Sequence, residues 1–421
     1  MNRGAGQPIA ASVLPFPEAR RTVEEHAANL LPGKIERVEI ASSLGRVLAE
    51  PISADRDFPP FPRSARDGYA VRSSDAGHAP CKLRVTAEIK AGAIESPSSL
   101  GKGEVAAIMT GAPAPPGADS VVMVEHTSRD GEWVELHRPV AAGDNIVPRG
   151  SEARAGDVLL RKGTRLNPAG IAVAAAVGKR DLSVFARPSV GILATGDELV
   201  EIDAQPDPHQ IRNSNSYSLA AQVQQAGGCP LPLPTAPDNP IALARQMEQG
   251  LACDLLLLSG GVSVGKYDFV EQVLSELGAE FLLTGAEIQP GRPVVCGRMR
   301  RNTKDQEREF VYFFGLPGNP VSTMVTFDLF VRPIVDALCG AVPQKLRFLK
   351  APLKSEIKIK TGLTRFLPAL LSGELDQVEV ERAPWQGSGD IVGAARSDCY
   401  VVIPPDRDRI PAGEMVSVML R

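Results

Sequence analysis

Aromatic residues are scarce in this chain, at 5% of 421 residues with only two tryptophans. That leaves little for a surface that stacks single-stranded bases. No block of one charge stands out either. The formal net charge is −4, without a Lys/Arg cluster, which excludes a nucleic-acid partner on electrostatic grounds. The six cysteines (Cys81, Cys229, Cys253, Cys296, Cys339, Cys399) lie far apart with no C-x-x-C pair. Zinc-ribbon and thioredoxin-like readings fall away, and reduced thiols in a cytoplasmic protein are the simplest account. The five histidines show no metal-ligand spacing and pair with no nucleophile, so covalent acyl transfer has no support. No apolar run reaches membrane-spanning length, the longest candidate being 171–177, and the N-terminus has no signal-type core.

What is present is a succession of differently patterned segments. Phe16 to Leu31 reads as a helix closed by Pro32-Gly33. The run Phe58-Pro59-Pro60-Phe61-Pro62 is a stiff spacer. From Tyr69 to Ile146, short alternating runs separated by turns predict a small all-β unit. Asn167-Pro168 is a cap followed by an N1 proline, opening an Ala-rich helix that ends at Gly178. Between 187 and 340, strands (190–194, 255–259, 310–314) alternate with helices (216–226, 240–252, 269–277, 321–338). That order predicts a doubly wound, mostly parallel sheet with helices on both faces. Residues 301–309 fit a solvated hairpin or loop, and after 341 short β patterns return.

Three glycine-bearing turns follow the apolar strands of the α/β segment: Thr195-Gly196-Asp197-Glu198, Gly260-Gly261-Val262-Ser263 and Gly315-Leu316-Pro317-Gly318-Asn319-Pro320. Turns at neighbouring strand ends make a crevice in which backbone N–H groups are available to an anion. The stretch Gly260–Tyr267 spells G-x-x-x-x-G-K-Y, but a P-loop needs Ser or Thr where Tyr267 stands, to hold Mg²⁺. Two readings remain: a phosphate cradle using Ser263, or a tight turn without a ligand. Asp268 either caps the following helix or faces the crevice. Asp238 either caps the helix from 240 or is a further strand-end carboxylate. In Gly315–Pro320, Pro317 and Pro320 stiffen the loop while Gly318 admits a ligand close to the backbone, and Asn319 is an N-cap candidate. Acidic groups beside anion-binding turns make sense once a divalent cation is added, as Mg²⁺ held by one or two carboxylates and substrate phosphates.

Seven stretches in order, SARDGYAV (64–71), MTGAPAPPGAD (109–119), ATGDEL (194–199), SGGVSVGKYD (259–268), QPGRP (289–293), GLPGNPVS (315–322) and WQGSGD (385–390), resemble the molybdopterin molybdenumtransferases, relatives of the gephyrin E domain. The resemblance covers nearly the whole chain. It implies an α/β multidomain fold with an elongated N-terminal domain (1–54 with 150–178), an inserted β-rich domain (55–149), the α/β pterin- and anion-binding domain (179–340) and a C-terminal β domain (341–421). The implied reaction joins adenylylated molybdopterin and molybdate in one pocket: the phosphoanhydride is cleaved, AMP leaves, and the pterin dithiolene takes the metal, with Mg²⁺ assisting. A cytoplasmic homodimer is implied, with a cleft built from both subunits and transient contact with the adenylylating enzyme and with molybdoenzymes. By motif, Asp67, Thr110, Glu198, Asp238 and Asp268 fall on the functional polar positions, with Glu198, Asp238 and Asp268 as Mg²⁺ ligands. Gly260, Gly261, Ser263, Arg292, Pro317, Gly318 and Pro320 fall on substrate- and anion-binding positions. One departure is Gln289, where the family commonly has Lys. Two rival functions share this fold: adenylyl transfer to molybdopterin, and a non-catalytic scaffold.

Overall fold

The computed structural model describes residues 13–92, 98–261, 269–301 and 309–421. The central sheet has six strands in the order Cys229–Pro232, Ser189–Ala194, Leu255–Ser259, Phe310–Leu316, Val295–Arg300, Glu280–Leu283. The first four run parallel and the last two antiparallel. Leu255–Leu258 is uninterrupted leucine because this strand is covered on both faces. Its side chains alternate as a strand must. Leu255 and Leu257 enter the core beneath helix α3 (Asn215–Ala226), whereas Leu256 and Leu258 pack with helices α4 (Pro240–Gly250) and α5 (Val270–Glu276). The doubly wound arrangement is the one the pattern predicts.

The expected helix over 321–338 is one continuous rod with an irregular centre. Helix α6 (Pro320–Thr326) passes through a π turn at Phe327–Val331 into α7 (Arg332–Leu338). Pro333 explains part of this, since it has no N–H to give the carbonyl four residues back, that of Leu329. Arg20 supplies the missing donor: its guanidinium donates to the Leu329 carbonyl oxygen. Arg20 lies on α1 (Phe16–Ala28), whose Ala19, Val23 and Ala27 form a buried stripe of small residues against the same core. Residues 13–28 therefore pack on the α/β unit, although the sequence division placed them in the elongated N-terminal domain. Val13–Leu14 even pairs in parallel with Gly285–Ala286.

The rest of the N-terminal unit is discontinuous. Ile35–Glu39 pairs with Asp181–Phe185, and Ile52–Ser53 with Val158–Leu160, around a core that includes Leu48, Leu166, Ala174 and Val184. Asp181–Phe185 thus belongs with this unit and not with the α/β sheet. Its helix α2 (Pro168–Ala176) starts as expected, with the Asn167 side chain accepting from the Gly170 N–H at 2.8 Å. The insertion between its halves is a six-stranded sheet centred on Gly68–Val71, Glu104–Ile108 and Cys81–Ile89. The C-terminal sheet is built on Thr364–Ser372, Cys399–Ile403 and Met415–Leu420, and it takes Ile288–Gln289 of the α/β unit as an edge strand. No helix among the described residues is long and apolar enough to cross a membrane.

Candidate functional site

The three turns lie side by side. Ala194 is in register with Ser259, and Ser259 with Leu316, so the strands finish at one level. The ladder runs one residue further: the Thr195 N–H donates to the Ser259 carbonyl and the Gly260 N–H to the Leu316 carbonyl, both at 3.1 Å. The second turn is packed too closely for a side chain, whereas the third stands at ordinary contact distance from it. Gly260 has φ +98°, and a Cβ there would stand 2.7 Å from the Thr195 carbonyl oxygen. A Cβ on Gly318 would come within 3.6 Å of the Gly260 Cα. Strand Phe310–Leu316 is longer than expected, so the third turn begins at Pro317 and not at Gly315.

The carboxylates of this edge sit on the neighbouring strand end. The Thr195 hydroxyl donates to Asp238 Oδ1 at 3.0 Å, and the Asp238 N–H donates to Asp197 Oδ1 at 3.1 Å. Asp238 does not cap α4. Asn239 does, accepting from the Ile241 and Ala242 N–H groups at 3.0 and 3.2 Å. The two readings of Asp238 are thereby separated in favour of a strand-end carboxylate. The Glu198 carboxylate folds back over Gly196, where a Cβ would lie 2.5 Å from Glu198 Oε2. Ser263 and Asp268 lie outside the described residues.

Asp67 and Thr110 form a second constellation on the inserted β unit. Thr110 donates both its N–H (2.6 Å) and its hydroxyl (2.9 Å) to Asp67 Oδ1. The backbone bond, then the hydroxyl bond, holds the Asp67 carboxyl below its ordinary range. Gly68 follows because a Cβ there would strike the Val122 carbonyl oxygen at 1.9 Å. No hydrogen bond, ion pair or strand pairing among the described residues connects this pair with the strand-end crevice.

The chain is similar to known proteins over nearly its whole length. The model of the MoeA N-terminal region (domain I and II) matches residues 14–178, that of a probable molybdopterin binding domain residues 191–337, and that of the MoeA C-terminal region (domain IV) residues 350–420. A molybdopterin molybdenumtransferase from a Nostoc strain is 34% identical over 417 residues, covering 96% of this chain and 94% of the relative. One from Bacillus subtilis is 35% identical over 398 residues, covering 92% and 90%. This chain belongs to the molybdopterin molybdenumtransferase family. The crystal structure of the molybdopterin biosynthesis moeA protein from Pyrococcus horikoshii shares the fold, with a TM-score of 0.75 at 29% identity over 97% of this chain and all of that one.

Within this family member, Arg292 is exposed on the loop after Gln289 and forms no ion pair among the described residues. That loop leans on α6, since a Cβ on Gly291 would lie 2.4 Å from Thr326 Cγ2. The start of α6 is buttressed elsewhere as well. The Thr323 hydroxyl donates to the Pro317 carbonyl at 2.5 Å, and the Val321 N–H donates to the Ser388 carbonyl of the C-terminal unit at 3.0 Å. Asn319 occupies the N-cap position of α6 but makes no capping bond. The WQGSGD motif holding Ser388 is fixed by Asp390, whose carboxylate accepts from the Gly393 and Gln386 N–H groups.

Sequence reasoning missed Asn215. Its amide nitrogen donates to Ser259 Oγ (2.8 Å) and to the Gly318 carbonyl (2.7 Å), tying two turns to the first residue of α3. The Gly318 carbonyl only accepts, which fixes the orientation of the amide. Its oxygen is buried with no hydrogen-bond partner among the described residues, so a ligand N–H or O–H would satisfy it. The run Asn213-Ser214-Asn215-Ser216 just ahead of a helix was the available signal. As for a metal, no group of three or more His, Cys, Asp or Glu among the described residues comes together to cage one. Exposed Asp197 and Glu198 with half-buried Asp238 instead suit a cation that keeps substrate oxygens in its shell.

Proposed function

We propose that this protein inserts molybdate into adenylylated molybdopterin with release of AMP, the final step of molybdenum cofactor synthesis. The observation that carries the reading is the crevice: three adjacent strand ends placing close-approach glycines beside the Thr195–Asp238 pair and Glu198. The turns at Gly261 and Gly318 bind the phosphates through backbone N–H groups, Gly260, whose own N–H is held by the Leu316 carbonyl, lets them approach the backbone closely, and Pro317 and Pro320 hold the third turn rigid. Ser263 adds a hydroxyl, and Arg292 offers a planar cation to the molybdate or phosphate oxygens. Glu198, Asp238 and Asp268 would hold Mg²⁺, which when bound supplies charge neutralisation of the phosphoanhydride. Thr195 orients the Asp238 carboxylate by its hydroxyl bond. Asn215 keeps the second and third turns at their spacing and offers its amide oxygen to a donor on the substrate.

Asp67 and Thr110 act from a second copy of the chain. Support comes from their place on a separate sheet with one Asp67 oxygen already saturated by Thr110 and the other turned to solvent. A homodimer in the cytoplasm, in brief contact with the adenylylating enzyme and with molybdoenzymes, is the setting this reading requires. The test is AMP release by the purified protein from adenylylated molybdopterin, with and without molybdate. Molybdate-dependent AMP release is the expected result. Rapid pyrophosphate release from ATP and molybdopterin would instead assign the adenylyl-transfer step, and absence of both reactions would leave a scaffold.

A further inference from the structure

At the far end of helix α3 from the crevice the chain forms a half-open cavity of about 800 Å³. Helix α3 fixes its separation from the crevice. Asn215 opens the helix at the strand-end turns, and Gln225 and Ala226 close it against the cavity. Twelve residues at about 1.5 Å each make that distance roughly 18 Å.

Charge is what distinguishes this cavity. Eight basic side chains line it against two acidic ones, in a chain whose formal net charge is −4. The basic groups converge from segments far apart in sequence: Arg161 and Lys162 from the N-terminal unit, Arg332 from α7, and Lys345 and Arg347 from the link into the C-terminal unit. None of these five forms an ion pair among the described residues. The two acids offset only part of the wall, acting chiefly on Arg165, Arg332 and Arg421. Asp336 is engaged by Arg165 at 2.8 Å and Asp328 by the Gln222 amide at 3.3 Å. Burial also pushes both carboxyls above their ordinary range. Lys162 lies over the Phe185 ring at 5.4 Å and Arg332 faces both acids, which leaves Arg161, Lys345 and Arg347 without a charged partner among the described residues. Cations in this excess on one concave surface focus a positive potential into it. Four of the five are solvent-exposed and open to a ligand, and Arg332 is half-buried.

We infer that this cavity is a second anion site, separate from the crevice, that takes a phosphorylated small molecule carrying three or more negative charges. The lining also offers Leu166, Val342 and Leu346 beside the Asn167 and Gln344 amides, room for an organic portion next to the phosphates. Arginine and lysine from three directions surround a phosphate chain, which a single carboxylate cannot match in charge density.

Calorimetric titration of the full-length protein with tripolyphosphate and with ATP, at matched ionic strength, tests this. Both bind the unmodified protein, and sulfate at the same ionic strength does not. The exposed triple variant R161Q/K345Q/R347Q, which touches no packed core, weakens binding by about tenfold or more. The crevice variant Asp238→Asn leaves it unchanged. Tighter ATP than tripolyphosphate assigns a nucleoside polyphosphate, and equal affinities assign the phosphate chain alone. The inference is overturned if neither ligand binds, if the triple variant binds as the unmodified protein does, or if the triple variant instead changes the oligomeric state, which makes this wall a subunit contact.

Discussion

Two threonine–aspartate pairs stand among the described residues, and they are built differently. Thr110 saturates one oxygen of Asp67 with two donors, at a bend of the inserted sheet where the other oxygen meets solvent. Thr195 gives Asp238 only its hydroxyl, and Asp238 is held in turn through its own N–H by Asp197. The first pair is a finished group on a surface. The second is part of a network at strand ends, beside Gly260 and Gly261, where a Cβ would meet its neighbours at 2.7 Å. On the proposed function the contrast teaches that the inserted unit presents a group for delivery, while the α/β unit is the receptacle, and a second chain completes the site.

Loss of the receptacle has the largest expected effect. Asp238→Ala or Glu198→Ala lowers molybdate-dependent AMP release by about a hundredfold or more in a single-turnover assay, with the thermal midpoint little changed. Equal AMP release by the variants and the unmodified protein would remove the crevice from the chemistry.

Gly260→Ala is next. The new methyl meets the Thr195 carbonyl oxygen and is forced to a positive φ, a cost of about 1–3 kcal/mol read from chemical denaturation, with activity lost alongside. The same change at Gly131, a positive-φ turn in the inserted unit with nothing within 4 Å, carries the backbone cost without the collision and leaves AMP release intact.

Asn215→Ala removes the donor shared by Ser259 and the Gly318 carbonyl. It costs about 1–3 kcal/mol in stability or substrate binding, seen as a raised KM for adenylylated molybdopterin. An unchanged KM would reduce Asn215 to a packing role.

The smallest effect concerns pH. Because the folded-state pKa of Asp67 is depressed, its contribution is fully present above the ordinary carboxylate value of about 3.9 and is lost as pH falls through the lower folded value. Activity between pH 5 and 8 therefore does not vary through Asp67. A carboxyl-carbon NMR titration finds Asp67 below the ordinary range, and Thr110→Val moves it part of the way back, since the backbone donor remains. A midpoint at the ordinary value in both proteins would contradict the hydrogen-bond account.

Much of this was legible beforehand, for identifiable reasons. Leu255–Leu258 could only be a strand buried on both faces, and Asn167-Pro168 carries its own start signal. The glycine turns were readable because each follows an apolar strand. Other features depend on contacts between distant segments and leave no local trace. That Asn239 and not Asp238 caps α4 is decided by the Thr195 hydroxyl, 43 residues away. The docking of α1 on the α/β unit rests on Arg20 answering a carbonyl that Pro333 cannot serve. Asn215 matters because two turns converge on it, and the basic cavity because three units meet around it.

The most direct test of the divided site mixes two inactive chains, Asp67→Ala and Asp238→Ala, and measures AMP release after subunit exchange. Random pairing places both defects in one cleft of each mixed dimer and leaves the other cleft intact, so activity returns to about a quarter of that of the unmodified protein. Mixtures as inactive as either variant alone would contradict the account and place all the working groups within one chain.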